Sequence, residues 1–366
     1  MYSKQSSRIW KRLSSAGLSL SVLGCGCLSW SLAVPVAAQA PAGKWSSIAP
    51  FPEPKEEVIG IAANGKMYVM AGLVSAPVWL PVGMVYEYTP ASNTWTKKKP
   101  MALPAHHIAM TEYNGKVYVF GGFTEGKVDN LAAWTPINNA FEYDPAKDSW
   151  KELAPMPVKR GAAVAATVNG KMYVIGGATT APGATNPSVR PTTPQRVLAT
   201  VEEYDPETNK WRERASMPTP RNHTYAGAVN GKIYVIGGRI GAAFITASSN
   251  LNNVEAYDPA TDQWSAPLAK MPTGRSAVSG AVYNNRLYIA GGEWQNENQF
   301  TAYRAFEGYD PATNTWAVLP PMALPRHGVA GAVIGNRFYA VSGDIQSSGT
   351  GVAASTPSAD AFEFAK

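Results

Sequence analysis

Four histidines, His106, His107, His223 and His327, are the side chains of this sequence best suited to chemistry near neutral pH. A neutral imidazole is a ligand for zinc or copper, and its ordinary pKa of ~6.5 suits a general base. A second set is cationic. With the chain aligned on Tyr68, Tyr118, Tyr173, Tyr234, Tyr288 and Tyr339, one upstream column reads Lys55, Ala105, Arg160, Arg221, Arg275 and Arg326. Cations converging on a concavity would hold a carboxylate or phosphate through charge-assisted hydrogen bonds. The histidines sit beside this column: His106 aligns with His327, and His107 with His223. His106 and His327 are therefore the candidate acid/base residues, and the Lys, Arg and His set the candidate ligand-binding residues. A third set is aromatic. Trp79, Trp134 and Trp294, with Phe123, Phe244, Phe300 and Tyr303, fall in segments that do not align, where ring faces suit stacking on a sugar or anchoring a partner. Each set also has a structural role open to it: hydrogen bonding within a rim, ion pairs between neighbouring elements, or packing on loop bases.

That alignment reflects an internal repeat. Asn64-Gly-Lys-Met-Tyr-Val-Met-Ala-Gly72, Asn114-Gly-Lys-Val-Tyr-Val-Phe-Gly-Gly122, Asn169-Gly-Lys-Met-Tyr-Val-Ile-Gly-Gly177 and Asn230-Gly-Lys-Ile-Tyr-Val-Ile-Gly-Gly238 are one motif, with weaker copies ending at Gly292 and Gly343. A second motif, an acid-rich strand and an Asp-Pro or similar turn, ends at Trp95, Trp150, Trp211, Trp264 and Trp316. Each unit reads as four strands. A small-residue strand crowded near an axis comes first, then an Asn-Gly hairpin turn and a second strand ending in Gly-Gly. A variable loop follows, then a third strand, a turn and a fourth strand beginning at the Trp. Six such units make an all-β, six-bladed propeller. The chain ends in a third strand, Asp360-Ala-Phe-Glu-Phe-Ala-Lys366, whereas Lys44-Trp45-Ser-Ser-Ile48 carries an unmatched Trp. The N-terminal strand is thus expected to complete the last blade and remove an exposed edge.

The double glycine, the Tyr and the Trp after a Tyr-Asp-Pro turn resemble the kelch repeat, over residues 44–366 and in six copies. The resemblance implies a binding or interaction module with its ligand at the face carrying the long second-to-third strand loops. It also implies that Arg often occupies the cationic column, with third-strand acids such as Glu202, Glu255 and Glu307 as partners. Two enzymatic relatives are brought in by the same likeness. Copper-radical galactose oxidases need a Tyr crosslinked to Cys, and both cysteines here, Cys25 and Cys27, precede the repeats. Exported sialic-acid mutarotases suggest the alternative, a mutarotase or epimerase acting on an acidic sugar in the axial funnel. The histidines come from blades two, four and six, alternate blades, which argues against a shared metal, so no metal and no cofactor are expected.

Residues 1–38 read as a signal peptide and 39–366 as one domain. Lys4, Arg8, Lys11 and Arg12 precede an apolar stretch, and Val36 and Ala38 suit cleavage after Ala38. This places the domain in the periplasm or outside the cell, as a monomer free of the membrane. An uncleaved anchor, and lipidation of Cys25 in Val22-Leu23-Gly24-Cys25, are the alternatives; the apolar run continues past Cys25, unlike a lipoprotein. Four of the 32 basic residues and none of the 26 acids lie in that leader, so the remainder is nearly neutral. Nucleic acid is accordingly not an expected partner; a protein or a glycan, with an anionic group favoured by the cations, is.

Overall fold

The computed structural model describes residues 43–74, 78–190, 195–241, 249–296, 299–347 and 354–365. The leader, with Cys25, and Phe244 lie outside them. Six four-stranded antiparallel sheets succeed one another along the chain. Blade 1 holds Ile59–Ala63, Lys66–Met70, Val85–Thr89 and Thr94–Lys97 in that order from the inside. Blades 2 to 5 repeat the plan with inner strands Ala109–Tyr113, Val164–Val168, Tyr225–Val229 and Ser279–Tyr283. In blade 6 the order is Ala330–Ile334, Arg337–Val341, Ala359–Phe364 and, outermost, the N-terminal strand Gly43–Ser47. The inner strands of successive blades neighbour one another and the last neighbours the first, which closes the ring.

Small inner-strand residues permit that crowding: a Cβ on Gly60 would lie 2.7 Å from the Gly331 nitrogen. The hairpin turns follow their residues. Asn64-Gly65, Asn114-Gly115, Asn169-Gly170 and Asn230-Gly231 all take positive φ at both positions, as a twisted two-residue turn requires. In blade 5 Asn284-Asn285 does the same without glycine.

The core is distributed between blades: six clusters each draw on two adjacent sheets, and a seventh, with Leu73, Phe123, Trp134 and Val189, lies among the loops of blades 1 to 3. The repeat Trp ties each blade to the link arriving from its neighbour. Trp211 Nε1 donates to the Ala154 carbonyl at 2.8 Å, and Trp264 and Trp316 donate to Ala215 and Ala269 at 2.9 Å. Trp45 does this for the closing strand, donating to Pro320 at 2.7 Å and packing edge-on against Phe306, Phe338 and Phe362. Deleting residues 43–48 should therefore expose the 359–364 edge and an aromatic cluster at once. The expected result is a loss of at least about 3 kcal/mol and concentration-dependent aggregation, checked by urea unfolding and size-exclusion chromatography; an unchanged unfolding midpoint would refute closure by this strand.

Candidate functional site

The residue two places after each member of the cationic column lies just before an inner strand. Glu57, His107, Ala162, His223, Ala277 and Gly328 occupy these six equivalent positions, all left-handed with φ between 50 and 56°. Such backbone costs a non-glycine residue about 1 kcal/mol or more and persists only where its surroundings dictate it. Here the dictating element is a series of main-chain hydrogen bonds from blade to blade around the circle. Ala162 N–H donates to His107 at 2.8 Å, His223 to Ala162 at 3.1 Å, Ala277 to His223 at 2.9 Å and Gly328 to Ala277 at 3.2 Å. Val58 N–H, donating to Gly328 at 3.2 Å, joins blade 1 to blade 6.

All six residues of the circle line an axial cavity of about 130 Å³. Its walls are residues in or immediately before the inner strands, among them Ile59, Ile108, Val164, Tyr225 and Val329. Three circle residues are small; the polar ones, Glu57, His107 and His223, form its floor. His107 Nε2 lies 3.2 Å from Glu57 Oε2, and the His107 and His223 rings meet at 4.6 Å. Alternate blades therefore do not keep the imidazoles apart, contrary to the expectation from blade order: one donor atom each from Glu57, His107 and His223 fall within 4.8 Å of one another. The reason is the left-handed backbone, which turns these side chains inward.

Behind the floor, toward the long loops, lies a buried polar network. His223 Nδ1 lies 2.6 Å from Asn222 Oδ1, and Arg239 Nη2 lies 2.9 Å from His223 Nε2. Arg239 Nη1 donates to Glu293 at 2.9 Å, and Gln295 and Ser347 donate to the other Glu293 oxygen at 2.6 and 2.8 Å. His327 Nε2 lies 3.8 Å from Glu293 and 4.0 Å from Glu57. Burial opposes charge on His327, yet Glu293 and Glu57 raise its pKa above the ordinary value. Burial lowers that of His223 well below the ordinary value, with Arg239 adding to the effect. Glu57, which burial alone would push up, is brought down to about 2 by His107, His327 and Arg239. His106 touches His107 through Nδ1, and burial lowers its pKa too. His106 and His327, the candidate acid/base pair, thus lie behind the circle and do not line the cavity; His107 and His223 do.

Most of the long second-to-third strand loops fold as hairpins: Phe123–Val128 with Leu131–Pro136, Ala178–Thr180 with Gln195–Val197, and Glu293–Gln295 with Phe300–Ala302. They bend over the axis. Trp134 is only 1% exposed, packed at a tilt against Trp79 at 4.7 Å and edge-on to His106 at 5.4 Å, and its backbone pairs with Val189 of the next blade's loop. Trp79 and Trp294 are half-buried. Of the three, Trp134 is a packing residue, not a surface ring.

The cationic column is also not an open rim. Arg160, Arg221, Arg275 and Arg326 are fully buried and paired with Glu202, Glu255, Glu307 and Asp360 on the third strands of their own blades. Their main chains meanwhile dock on the preceding blade. Arg160 N–H donates to Ile137 at 3.0 Å, and its carbonyl accepts from Gly122 N–H at 2.9 Å. This close approach explains the double glycine, since a Cβ on Gly121 would lie 2.5 Å from the Arg160 oxygen and one on Gly122 2.8 Å from the His106 oxygen. Lys55 is half-buried, its ammonium 3.1 Å from the Pro54 carbonyl.

Residues 154–343 match the KLHDC2/KLHL20/DRC7 kelch-repeats domain, and residues 104–157 the kelch motif. The chain belongs to the kelch-repeat family. Kelch-like protein terF of Aspergillus terreus is 26% identical over 349 residues, covering 93% of this chain and 72% of that protein. Human kelch repeat and BTB domain-containing protein 12 is 32% identical over 213 residues, 55% of this chain but only 32% of its own length. The solved structure of YjhT shares the fold, with a TM-score of 0.66, 18% identity, and coverage of 86% of this chain and 96% of that one.

Within the kelch pattern, sequence reasoning missed Glu57, Arg239 and Glu293. Glu57 stands in the same repeat column as His107 and His223, and the column after the double glycine reads Leu73, Phe123, Ala178, Arg239, Glu293 and Asp344. Departures from the repeat in those two columns were the available signal. For the Arg–acid pairs, Arg275→Met should cost about 3–5 kcal/mol by leaving Glu307 buried without its cation. Arg275→Met/Glu307→Leu should recover most of this in urea unfolding; a cost below about 1 kcal/mol for the single variant would show the pairs to be dispensable.

Proposed function

We propose that this kelch propeller is an exported binding module that docks a protein partner on its long-loop face. The single observation that carries this is where the exposed apolar side chains sit. Among the described residues the exposed large hydrophobics are Val78, Leu80, Leu131, Ile240, Phe300, Val318 and Leu324, and the first five lie in the second-to-third strand loops. Aliphatic tips around a rigid rim suit a protein surface. The burial of Trp134 and the packing of Trp79 against it leave less of an aromatic platform for a sugar. A mutarotase or epimerase acting on an acidic sugar has less support: the cavity is lined by Glu57 and two imidazoles and by no Lys or Arg, so a substrate carboxylate would face a carboxylate.

Two measurements test this reading. A photoreactive residue placed at Leu131 or Phe300 in cells exporting the chain is expected to give discrete cross-linked protein adducts, and one at Lys232, on the tight-turn side, none. Equal labelling from Lys232, or no adduct from either loop position, would refute the docking face. For export, intact-mass and N-terminal analysis of the recovered protein is expected to show a chain beginning at Gln39; a full-length N terminus in the cytoplasmic fraction would refute the leader.

A further inference from the structure

We propose that Glu57, His107 and His223 form a binding site for a divalent first-row transition ion on the propeller axis. Two imidazoles and one carboxylate, each with a donor atom within 4.8 Å of the other two, are a donor set that zinc and its neighbours take. Three further features fit such a site. The three residues come from left-handed positions, with His107 and His223 bonded through their main chains to Ala162, and with Glu57 followed by Val58, whose N–H donates to Gly328, so their inward aim follows the backbone and does not rest on rotamer choice alone. The His223 Nδ1–H donates to Asn222 Oδ1 at 2.6 Å, which leaves the Nε2 lone pair for a ligand bond, the arrangement in which outer partners orient metal-binding imidazoles. All three residues border a cavity of about 130 Å³ walled largely by apolar side chains, space for water or a small ligand. Three protein ligands leave one position of a four-coordinate ion unfilled by the protein, whereas a purely structural centre takes a fourth ligand from it.

Arg239 competes for the site. Its Nη2 lies 2.9 Å from the same His223 nitrogen, while its Nη1 is held by Glu293 at 2.9 Å. Metal binding replaces the first contact and keeps the second, so the guanidinium retains a carboxylate partner. Glu57 likewise exchanges its 3.2 Å contact with the His107 ring for the metal, and a metal-bound imidazole is neutral. The absence of thiolates among the donors favours zinc, cobalt or nickel over cuprous ion.

The test uses the chain beginning at Gln39, which contains the whole propeller and neither cysteine, stripped with chelator and titrated with Zn²⁺ and Co²⁺ by calorimetry and visible absorption. One equivalent per chain is expected, with affinity reduced at least about tenfold in Glu57→Gln and in His223→Asn, the latter chosen because Asn accepts left-handed backbone. Circular dichroism and thermal melts of the metal-free forms establish that both variants fold. Anomalous diffraction from zinc-soaked wild-type crystals gives a readout that needs no variant: a peak about 2.0–2.2 Å from donor atoms of all three residues is expected. No stoichiometric binding, undiminished affinity in both folded variants, or a peak elsewhere would overturn the assignment.

Discussion

The fold depends on one contact made four times: an arginine whose backbone belongs to one blade and whose guanidinium belongs to the next. Arg160, Arg221, Arg275 and Arg326 place a carbonyl against the preceding blade's double glycine and a side chain against an acid on their own third strand. A buried ion pair is by itself weak evidence for stability, because desolvation consumes most of its attraction. Its value here is geometric, since it anchors to its own blade the link whose main chain docks on the blade before. The chain carries its own control. Blades 1 and 2 have Lys55 and Ala105 in place of Arg, and the acid column there reads Tyr86 and Phe141, against Glu202, Glu255, Glu307 and Asp360 elsewhere. In blade 2 cation and carboxylate disappear together; in blade 1 the acid is gone and the half-buried Lys55 lies 3.9 Å from Glu53 instead, so no charge is left buried alone. Paired loss of this kind is what a structural role requires and a ligand-binding role does not.

The inner circle of left-handed residues rests on the same framework. Where Arg docking sets the point at which a link crosses to its inner strand, the next two residues are carried to the axis, and the N–H groups of Ala162, His223, Ala277 and Gly328 meet the carbonyl of the blade before. Ala162, His223 and Ala277 are held from both sides in this way, which supports their left-handed backbone. That circle separates two environments. Toward the tight turns lies a cavity with apolar walls; toward the long loops lies the network of Arg239, Glu293 and His327, sealed by Trp134 and the hairpins.

Much of the architecture was legible in the residues because each repeat states it again. Gly121-Gly122, Tyr118 and Trp150 recur with their partners, and the unmatched Trp45 implied the closing strand that the structure contains. The site was legible in composition and not in arrangement. His106 and His107 are adjacent in sequence but lie on opposite sides of the circle's lining, a distinction set by the φ of 53° at His107. Glu57 was overlooked because a single acid in a link carries no motif, and Arg239 and Glu293 because they follow a double glycine that draws attention to itself. The burial of Trp134 depends on pairing with Val189 in another blade's loop, a long-range contact no local pattern announces.

A propeller of identical blades would have an axis with six equal sides and nothing to distinguish one orientation of a ligand from another. This chain departs from equality at the positions nearest the axis: Glu57, His107 and His223 are polar in blades 1, 2 and 4, while Ala162, Ala277 and Gly328 are small in blades 3, 5 and 6. Burying a carboxylate and two imidazoles is unfavourable unless each finds partners, and here those partners had to be recruited from the loops of blades 4 and 5 as Arg239 and Glu293. The loops that close the axis and the polar floor they close over are therefore one construction. Their outer surfaces meet the exterior, whereas their inner residues Arg239 and Glu293 reach the cavity floor through the contact of Arg239 with His223.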